Sequence, residues 1–335
     1  MVSINLDNHH NAGSRSPKDD GPSSASTTTL AHFSDPHISC MNAITARDLL
    51  NKRLFGYLRW KLHREAGHGD SVLSALHADL AKTNPDHIAV TGDLTHLSLP
   101  AEFKKARHWL QSLGSPSQVT VIPGNHDAYV NTDWHKTMAH WTEYMLSDTP
   151  RDGGPSTENL DHIFPCLRIR GRVAIIGVCT AQPSAPHLAV GSIGAIQLHR
   201  LEKILSQTAR QRYFRVILIH HPPASGTVSW RKRLTDGPAL QSLLARYGAE
   251  LILYGHAHRA NQSYLKTPAG SVTAMGAPSI TALDRDPERR ARYCLYQISP
   301  DADDWNVRFQ VRIYSPDQNR FIRHSEQRLG SYETT

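Results

Sequence analysis

The chain has 335 residues, of which 39% are hydrophobic and 20% are charged. These values are typical of a soluble globular protein that buries a substantial core, and they exclude a fibrous or wholly disordered chain. No run of about 18 apolar residues occurs, which argues against a transmembrane helix. The formal net charge of +7 is compatible with an anionic partner or substrate, although a solvated basic surface is the more frequent explanation.

The start of the chain is polar. Residues 1–29 are rich in Asn, Ser, Thr, Gly and Asp and lack the basic-then-apolar pattern of a secretory signal, so we predict a disordered tail and a cytoplasmic location. The four cysteines are scattered without a C-x-x-C pair, which argues against a disulfide framework and against a thiolate zinc site. We expect Cys166 and Cys179 to be small core residues.

The first half of the chain alternates apolar strands with a helix. Short apolar segments at 30–33, 86–91 and 118–122 are predicted strands. The segment 101–113 is a predicted helix because it begins directly after Pro100 and keeps a helical pattern to a glycine. Strand–helix–strand alternation predicts an α/β fold.

The segment 47–64, between the first two strands, is predicted to be a basic amphipathic helix. Its leucines recur every four residues, and its arginines and lysines lie largely off that row. Gly56 weakens the helix by about 1 kcal/mol. We favour a helix that packs its leucine row on the domain and leaves its basic face in solvent. The alternative is a cap that recognises an acidic headgroup or an anionic lipid surface. The row consists of Leu50, Leu54, Leu58 and Leu62.

The second half repeats the alternation. Segments 163–169 and 173–178 flank Arg170-Gly171-Arg172 and predict a hairpin. The stretch 315–335 is polar and is predicted to be a loose tail, while no repeat and no Pro/Ser linker divides 30–314, which predicts one domain. Further predicted strands lie at 215–219, 251–254, 271–275, 293–298 and 307–313, and further helices at 193–205 and 239–247.

Residues of the metal-ligand type follow five of the predicted strands directly. Any one of these blocks alone is a weak signal: the first two are more often turns, the third could be a hairpin loop, and only the G-H-x-H block is moderately suggestive by itself. All five, however, occur at strand ends. Because the carboxyl ends of strands form the binding edge of open α/β sheets, we expect the blocks to converge. Glycines at 92, 124 and 255 permit sharp turns there. The blocks are Ser34-Asp35-Pro36-His37, Gly92-Asp93, Gly124-Asn125-His126-Asp127, His220-His221-Pro222-Pro223 and Gly255-His256-Ala257-His258.

The donor atoms in these blocks indicate a class of chemistry. Asp and His together suit Mn, Fe or Zn better than Ca or Mg, which prefer oxygen ligands. Two cations about 3.5–4 Å apart can share a carboxylate, lower the pKa of a common water and stabilise both oxygens of an in-line phosphoryl displacement. No serine-hydrolase elbow and no P-loop motif occurs, which disfavours those two mechanisms.

The order D-x-H, G-D, G-N-H-D, H and G-H-x-H resembles that of the calcineurin-like metallophosphoesterases over roughly residues 30–314. The resemblance implies a four-layer α/β/β/α sandwich of two mixed β-sheets flanked by helices. It places the basic helical insert at about 40–70 within this domain.

The resemblance also implies a role for each matched residue. Two divalent or trivalent transition metal ions (Mn, Fe or Zn) would be bound, with a bridging hydroxide as the nucleophile. His126 would orient the substrate phosphate or protonate the leaving group, and Asp127 would hold the His126 imidazole. The first metal would take Asp35, His37 and His258, the second Asn125, His220 and His256, and Asp93 would bridge the two.

Three further histidines lie in or near these blocks. The family pattern places the ligand at the first His of H-H-P, which favours His220 over His221. His96 could reach the pocket, and His87 is expected to face away or to pack; neither is assigned a role.

The activity implied is hydrolysis of phosphoric esters, with phosphodiesters favoured. Small phosphodiesters such as cyclic nucleotides or glycerophosphodiesters come first. A lipid-linked or nucleotide-sugar pyrophosphate comes second, because of the basic insert, and contact with anionic lipid goes with it. A nuclease comes third, because we find no aromatic-interleaved basic stretch of the kind that binds nucleic acid. No specific nucleic-acid partner is therefore expected. A non-catalytic scaffold would have lost ligands, and none is missing. The oligomeric state is left open.

Overall fold

The computed structural model describes residues 27–63, 69–149, 159–268, 270–302 and 304–329. Within them the chain forms two six-stranded mixed sheets that share one buried core, with helices on their outer faces. The predicted α/β/β/α sandwich is therefore confirmed. The predicted disorder of the N-terminal tail falls almost wholly on residues 1–26, which lie outside the described residues.

The first sheet combines a parallel half with an antiparallel half. Three short strands from the N-terminal part of the chain pair in parallel, and three long C-terminal strands extend the sheet as a meander. Its spatial order is β12 (Arg320–Arg328), β11 (Asp304–Ser315), β10 (Arg292–Asp301), β1 (Thr28–Phe33), β2 (His87–Val90) and β3 (Val119–Val121).

The second sheet has four central parallel strands and an antiparallel strand at each edge. The predicted hairpin around Gly171 joins its first two strands, although a short helix occupies 160–163 and delays the first strand to residue 166. The spatial order is β4 (Cys166–Arg170), β5 (Val173–Val178), β6 (Phe214–Ile219), β7 (Leu251–Tyr254), β9 (Gly270–Gly276) and β8 (Asn261–Thr267).

The helices follow the signals in the sequence. Pro100 occupies the first turn of its helix, where a missing N–H costs nothing, and Gly248 closes another helix with φ +66°. The helices are α1 (Arg53–His63), α2 (Gly69–Thr83), α3 (Pro100–Leu113), α4 (Leu160–Ile163), α5 (Ala195–Arg210) and α6 (Gly237–Tyr247).

Strand β6 shows how the layers are held together. All six of its residues are buried. Val216 and Leu218 belong to the core between the two sheets, whereas Ile217 and Ile219 pack with leucines of α5 and α6. A strand covered on both faces is apolar where it is covered, which is why residues 216–219 have no polar alternation. The buried Arg215 near the start of the strand is paired with Glu250.

The predicted loose C-terminal tail is wrong for residues 315–328, and residues 330–335 lie outside the described residues. Residues 320–328 form β12, which pairs with β11 from Arg308–Arg328 to Ser315–Arg320. The strand is polar because it lies at the sheet edge and buries little beyond Phe321, which is 2% exposed. At the other end, β1 begins at Thr28, inside the predicted tail.

The predicted insert helix is shorter than expected, and a different side of it packs on the domain. Residues 46–49 form a 3₁₀ turn, α1 begins at Arg53, and α2 continues the helical region to Thr83. The favoured packing of the leucine row is wrong: Leu50, Leu54 and Leu58 are 84%, 38% and 45% exposed. The Leu62 side chain lies outside the described residues.

A basic residue and a glycine make the contacts on the side of α1 that packs on the domain. Arg53 is only 7% exposed and donates from Nε to the Leu97 carbonyl at 2.7 Å and from Nη2 to the Ser98 carbonyl at 2.7 Å. A Cβ on Gly56 would press on the side chains of Leu97 and Tyr129. Close approach at Gly56 and charge-assisted hydrogen bonds at Arg53 therefore replace the expected leucine contacts.

Two remaining expectations concern the membrane and the cysteines. Over the described ranges, no helix has both the length and the apolarity to cross a bilayer. All four cysteines are free thiols, and Cys166 and Cys179 are buried, as predicted.

Candidate metal centre

The five blocks lie at the carboxyl ends of β1, β2, β3, β6 and β7, and hydrogen bonds join their backbones. The Asp35 N–H donates to the Gly92 carbonyl at 3.0 Å, and the His37 N–H donates to the Asp93 carbonyl at 3.0 Å. The His256 N–H donates to Asp35 Oδ2 at 3.1 Å, which links the second sheet to the first. The sandwich thus brings residues 35 and 258 into one site, as the order of the blocks predicts.

One group of candidate ligands forms around Asp35. Asp35 Oδ1 lies 3.1 Å from His258 Nε2 and 3.6 Å from His37 Nε2. The two imidazole nitrogens are themselves 3.1 Å apart. Together with Asp93, these residues each offer a ligand atom within 4.8 Å of the others.

A second group forms around His220. Its Nε2 lies 3.3 Å from Asp93 Oδ2 and 3.2 Å from Asn125 Oδ1. His256 joins Asp93 and His220 with ligand atoms within 4.8 Å of one another. Because Asp93 belongs to both groups, the geometry agrees with the predicted bridging role, which stays a prediction together with the other ligand roles.

Hydrogen bonds select the tautomers of two of these imidazoles. His220 Nδ1–H donates to the Thr91 carbonyl at 2.7 Å, which leaves Nε2 directed at Asp93 and Asn125. His256 Nε2–H donates to the Lys232 carbonyl at 2.9 Å, which leaves Nδ1 as the nitrogen with a lone pair. Backbone carbonyls that orient an imidazole in this way are typical of metal-binding histidines.

The backbone of the site is strained. Five of the seven predicted ligands have positive φ, a conformation that side chains with a Cβ rarely adopt. Two of the preceding glycines are required by close approach: a Cβ on Gly124 would collide with Asp93, and one on Gly255 would collide with Ser34 and Asp35. The five are Asp35 (56°), His37 (45°), Asp93 (53°), His256 (64°) and His258 (49°).

The charges of the buried side chains fit bound cations. Burial lowers the pKa of His37 to about 3 and that of His256 well below its usual value, so both are neutral at pH 7 with a lone pair to offer. Burial also lowers the pKa of His220, but the Asp93 carboxylate outweighs it and raises that pKa to about 9. Asp93 and Asp35 are 1% and 0% exposed, and such carboxylates need positive charge beside them. Two imidazole nitrogens 3.1 Å apart likewise need a proton or a cation.

His126 lies at the open side of this cluster. Its ring packs against His37 at 4.7 Å between centroids and stacks on Tyr129 at 5.3 Å. Its Nδ1–H donates to the His96 carbonyl at 2.6 Å, and its backbone N–H donates to Asp93 Oδ1 at 2.7 Å. The imidazole is therefore oriented by the His96 backbone.

The predicted role of Asp127 in holding that imidazole is wrong. The buried Asp127 carboxylate accepts hydrogen bonds from the backbone N–H groups of Gly124, Leu94 and Thr95 and from the Thr95 hydroxyl. These bonds join the loop after β2 to the loop after β3. Burial, and then the Asp93 charge, raise the pKa of Asp127 to about 7. Asp127 thus fixes the loops that carry Asp93 and His126.

The structure also shows the contacts of the three histidines to which the sequence assigned no role. His221 Nδ1 bonds the Thr180 hydroxyl at 2.7 Å and its Nε2 bonds the Ala189 carbonyl at 3.2 Å, so it is a structural residue. His87 is buried and bonds Thr120 at 2.7 Å, as expected of a packed histidine. His96 stacks on His126 at 5.6 Å between centroids and groups with His37 and His126. In the sequence, the position of His96 three residues after Asp93 was the available sign that it lies near the metal centre.

The chain is similar to known proteins in sequence and in fold. The profile of the calcineurin-like phosphoesterase family matches residues 28–260, well over half of the chain. The chain belongs to this family. Members of the family use a dinuclear metal centre, and the two residue groups around Asp93 are where this phosphoesterase could hold one. It is an enzyme of the phosphoric ester hydrolase class.

Two curated relatives are named as phosphodiesterases. The phosphoesterase is 26% identical over 251 residues to a probable cyclic nucleotide phosphodiesterase of Synechococcus, covering 74% of this chain and 84% of the relative. It is 28% identical over 252 residues to a cAMP/cGMP dual specificity phosphodiesterase of Mycobacterium tuberculosis, covering 73% and 66%.

A solved structure supports the fold. A dimetal phosphatase from Danio rerio superposes with a TM-score of 0.59 at 11% identity, and the match covers 90% of this chain and 98% of that one. At this identity the likeness extends to the fold alone.

Proposed function

We propose that the phosphoesterase hydrolyses phosphodiesters at two metal ions held by the seven residues around Asp93. The observation that carries this proposal is the single Asp93 carboxylate shared by two groups of ligand-type residues, with the His126 imidazole beside them. Mn, Fe or Zn suits this mixture of carboxylate, imidazole and amide donors. Bound there, the ions would lower the pKa of a water molecule and offset charge on the phosphoryl oxygens.

The protein's own groups would perform the remaining work. His126 is fixed through Nδ1 on the His96 carbonyl, which leaves Nε2 to act on the substrate. In its imidazolium form, His126 would donate the Nε2 proton to the departing oxygen as the water oxygen bonds to phosphorus and the ester P–O bond breaks. The proton that the water loses would pass to solvent, and the ring would take up a proton again before the next turnover. His96, stacked on His126, would contact the same end of the substrate.

Small phosphodiesters are the first substrates to examine. The names of two relatives at 26% and 28% identity support cyclic nucleotides among them. A lipid-linked or nucleotide-sugar pyrophosphate is the second candidate. Assays in the presence of Mn²⁺ on a model diester, a model monoester, cyclic nucleotides, a nucleotide sugar and DNA would rank these classes.

The decisive test is Asp93→Ala. Because Asp93 belongs to both ligand groups, its loss should lower the metal content from about two ions per chain and abolish hydrolysis of the model diester. Elemental analysis and steady-state kinetics measure the two effects. The control is Asp317→Ala, which removes an exposed carboxylate from the β11–β12 turn and should change neither. Near-normal hydrolysis by metal-loaded Asp93→Ala protein would falsify the proposal.

Peripheral contact with anionic lipid is a separate proposal, and the exposed leucine row supports it. Leu50, Leu54 and Leu58 face solvent, and residues 49–64 contain five Lys or Arg and no Asp or Glu. An apolar row in a basic helix is the pattern that binds anionic membrane surfaces.

Vesicle co-sedimentation tests this contact. Wild-type protein should bind vesicles containing phosphatidylglycerol and not vesicles of phosphatidylcholine alone, and Leu54→Ser/Leu58→Ser should lose the binding. Ile196→Ser, which changes an isolated exposed residue of α5, is the matched control. Equal binding by the double variant and the wild type would overturn the proposal.

A further inference from the structure

A basic aromatic turn lies directly against the candidate metal centre. Residues 230–233 read Trp-Arg-Lys-Arg, and the first three form a 3₁₀ turn. Trp230 is 63% exposed, and the three cationic side chains that follow are exposed as well. None of the side chains of this turn, residues 230–233, is among the seven predicted metal ligands.

The backbone of the turn is fixed on both sides. The Arg231 carbonyl accepts from the Ala189 N–H at 2.9 Å, and the Arg233 carbonyl accepts from the Gly191 N–H at 3.1 Å. The carbonyl of the residue between them, Lys232, accepts from His256 Nε2 at 2.9 Å. The turn is therefore anchored to a predicted metal ligand, and its side chains project from a rigid support.

The three cations have no counter-ion in the part of the chain that the structure describes. None of its ion pairs involves Arg231, Lys232 or Arg233. The nearest acid along the chain, Asp236, instead accepts hydrogen bonds from the backbone N–H groups of Ile193 and Gly194. Unpaired cations beside a phosphoester site raise the local concentration of anions.

Trp230 adds a flat apolar surface to this charge. The guanidinium of Arg231 lies 5.3 Å from the centre of the indole ring, and Arg233 Nη1 donates to the Trp230 carbonyl at 2.7 Å. An exposed indole next to arginines is the combination that holds a nucleobase together with its phosphate, because every base has a stacking face and arginine matches phosphate oxygens.

We propose that the turn 230–233 binds the part of the substrate beyond the scissile ester, and that this part is a nucleotide carrying a second phosphate group. Trp230 stacks on the base and the cations contact the second phosphate. The inference rests on the proposed phosphodiesterase function and deepens it, since it favours a short linear dinucleotide over a substrate with a single phosphate.

The test compares three substrates with metal-loaded protein: bis(4-nitrophenyl) phosphate, 3′,5′-cyclic AMP and the linear dinucleotide pApA. Arg231→Ala/Arg233→Ala should raise KM for pApA about tenfold or more and leave kcat/KM for the model diester within about twofold. Trp230→Ala should raise KM for both nucleotides. The charge-matched control is Arg320→Ala/Arg323→Ala on β12, whose side chains are exposed.

A binding measurement separates this inference from the proposed function. Fluorescence polarisation of labelled pApA, with a chelator present to prevent hydrolysis, should show binding to the wild type and to the β12 control and about tenfold weaker binding to the Arg231→Ala/Arg233→Ala variant. If no phosphodiester is hydrolysed but this difference persists, the proposed function fails, whereas binding of a nucleotide with a second phosphate by the turn is upheld. The inference is wrong if hydrolysis is normal but the variants of the turn change neither KM for pApA nor its binding. It is also wrong if these variants affect the model diester as strongly as pApA.

Discussion

The metal centre and the insert that contains α1 lie close together, but the sequence predicts the neighbours correctly in the metal centre and the wrong buried face in the insert. In the metal centre, seven scattered residues converge as their order predicts. In the insert, the regular leucine row predicts a packed helix face, yet Leu50 is 84% exposed and Arg53 is 7% exposed. The regular leucine row therefore predicts the wrong buried face, while isolated short motifs predict the right neighbours.

The difference comes from what each pattern encodes. A metal ligand is specified by the chemistry of its side chain, and a strand end fixes where that side chain lies. A leucine row states only that an apolar surface exists, and the tertiary structure decides whether it is covered. On α1, Gly56 admits Leu97 and Tyr129. Directly before the helix, Lys52 Nζ donates to the Ser184 and Leu188 carbonyls at 3.2 and 2.9 Å.

The largest effect that sharpens this comparison is expected for His126→Ala. His126 is outside the seven predicted ligands, so its loss should lower kcat for the model diester by about 10²–10⁴-fold with about two metal ions retained. Kinetics together with elemental analysis measure this. His199→Ala, an exposed histidine of α5, is the control. Loss of metal along with activity would assign His126 to the metal centre instead.

A smaller effect is expected for Asp127→Asn. The amide keeps the size of the carboxylate but turns an N–H₂ group toward donors from Gly124, Leu94 or Thr95, so the two loops should loosen. Metal affinity should weaken by roughly 10–100-fold, with turnover recovering at saturating metal. A metal titration followed by activity measures both. Activity that stays low at saturating metal would indicate a direct chemical role for Asp127.

The smallest effect on chemistry is expected for Arg53→Met. The substitution leaves the carbonyls of Leu97 and Ser98 without their donors and should lower the free energy of unfolding by on the order of 2 kcal/mol. Activity on the model diester should change little. Urea denaturation measures the stability, with exposed Lys61→Met as the control. An unchanged unfolding free energy would show that α1 is not held by Arg53.

Parts of the fold could be predicted from the sequence because local signals agreed with the tertiary structure. Pro100 marks the start of α3, Gly248 ends α6, and the strand at 251–254 has the predicted bounds. Strand β12 was missed because an edge strand keeps most of its side chains in solvent and therefore looks like a tail. Strand β8 was missed for the same reason, since it too lies at a sheet edge.

The sequence alone determined the residue types of the metal centre, their order along the chain and the strands that they follow. Those facts sufficed for the family and the class of reaction, because ligand chemistry is local to each side chain. Only the tertiary structure decided that His96 orients His126, that Asp127 joins two loops, and that α1 exposes its leucines. These outcomes depend on backbone carbonyls, close approach at glycine and contacts between distant segments, none of which has a periodicity or a motif in the sequence.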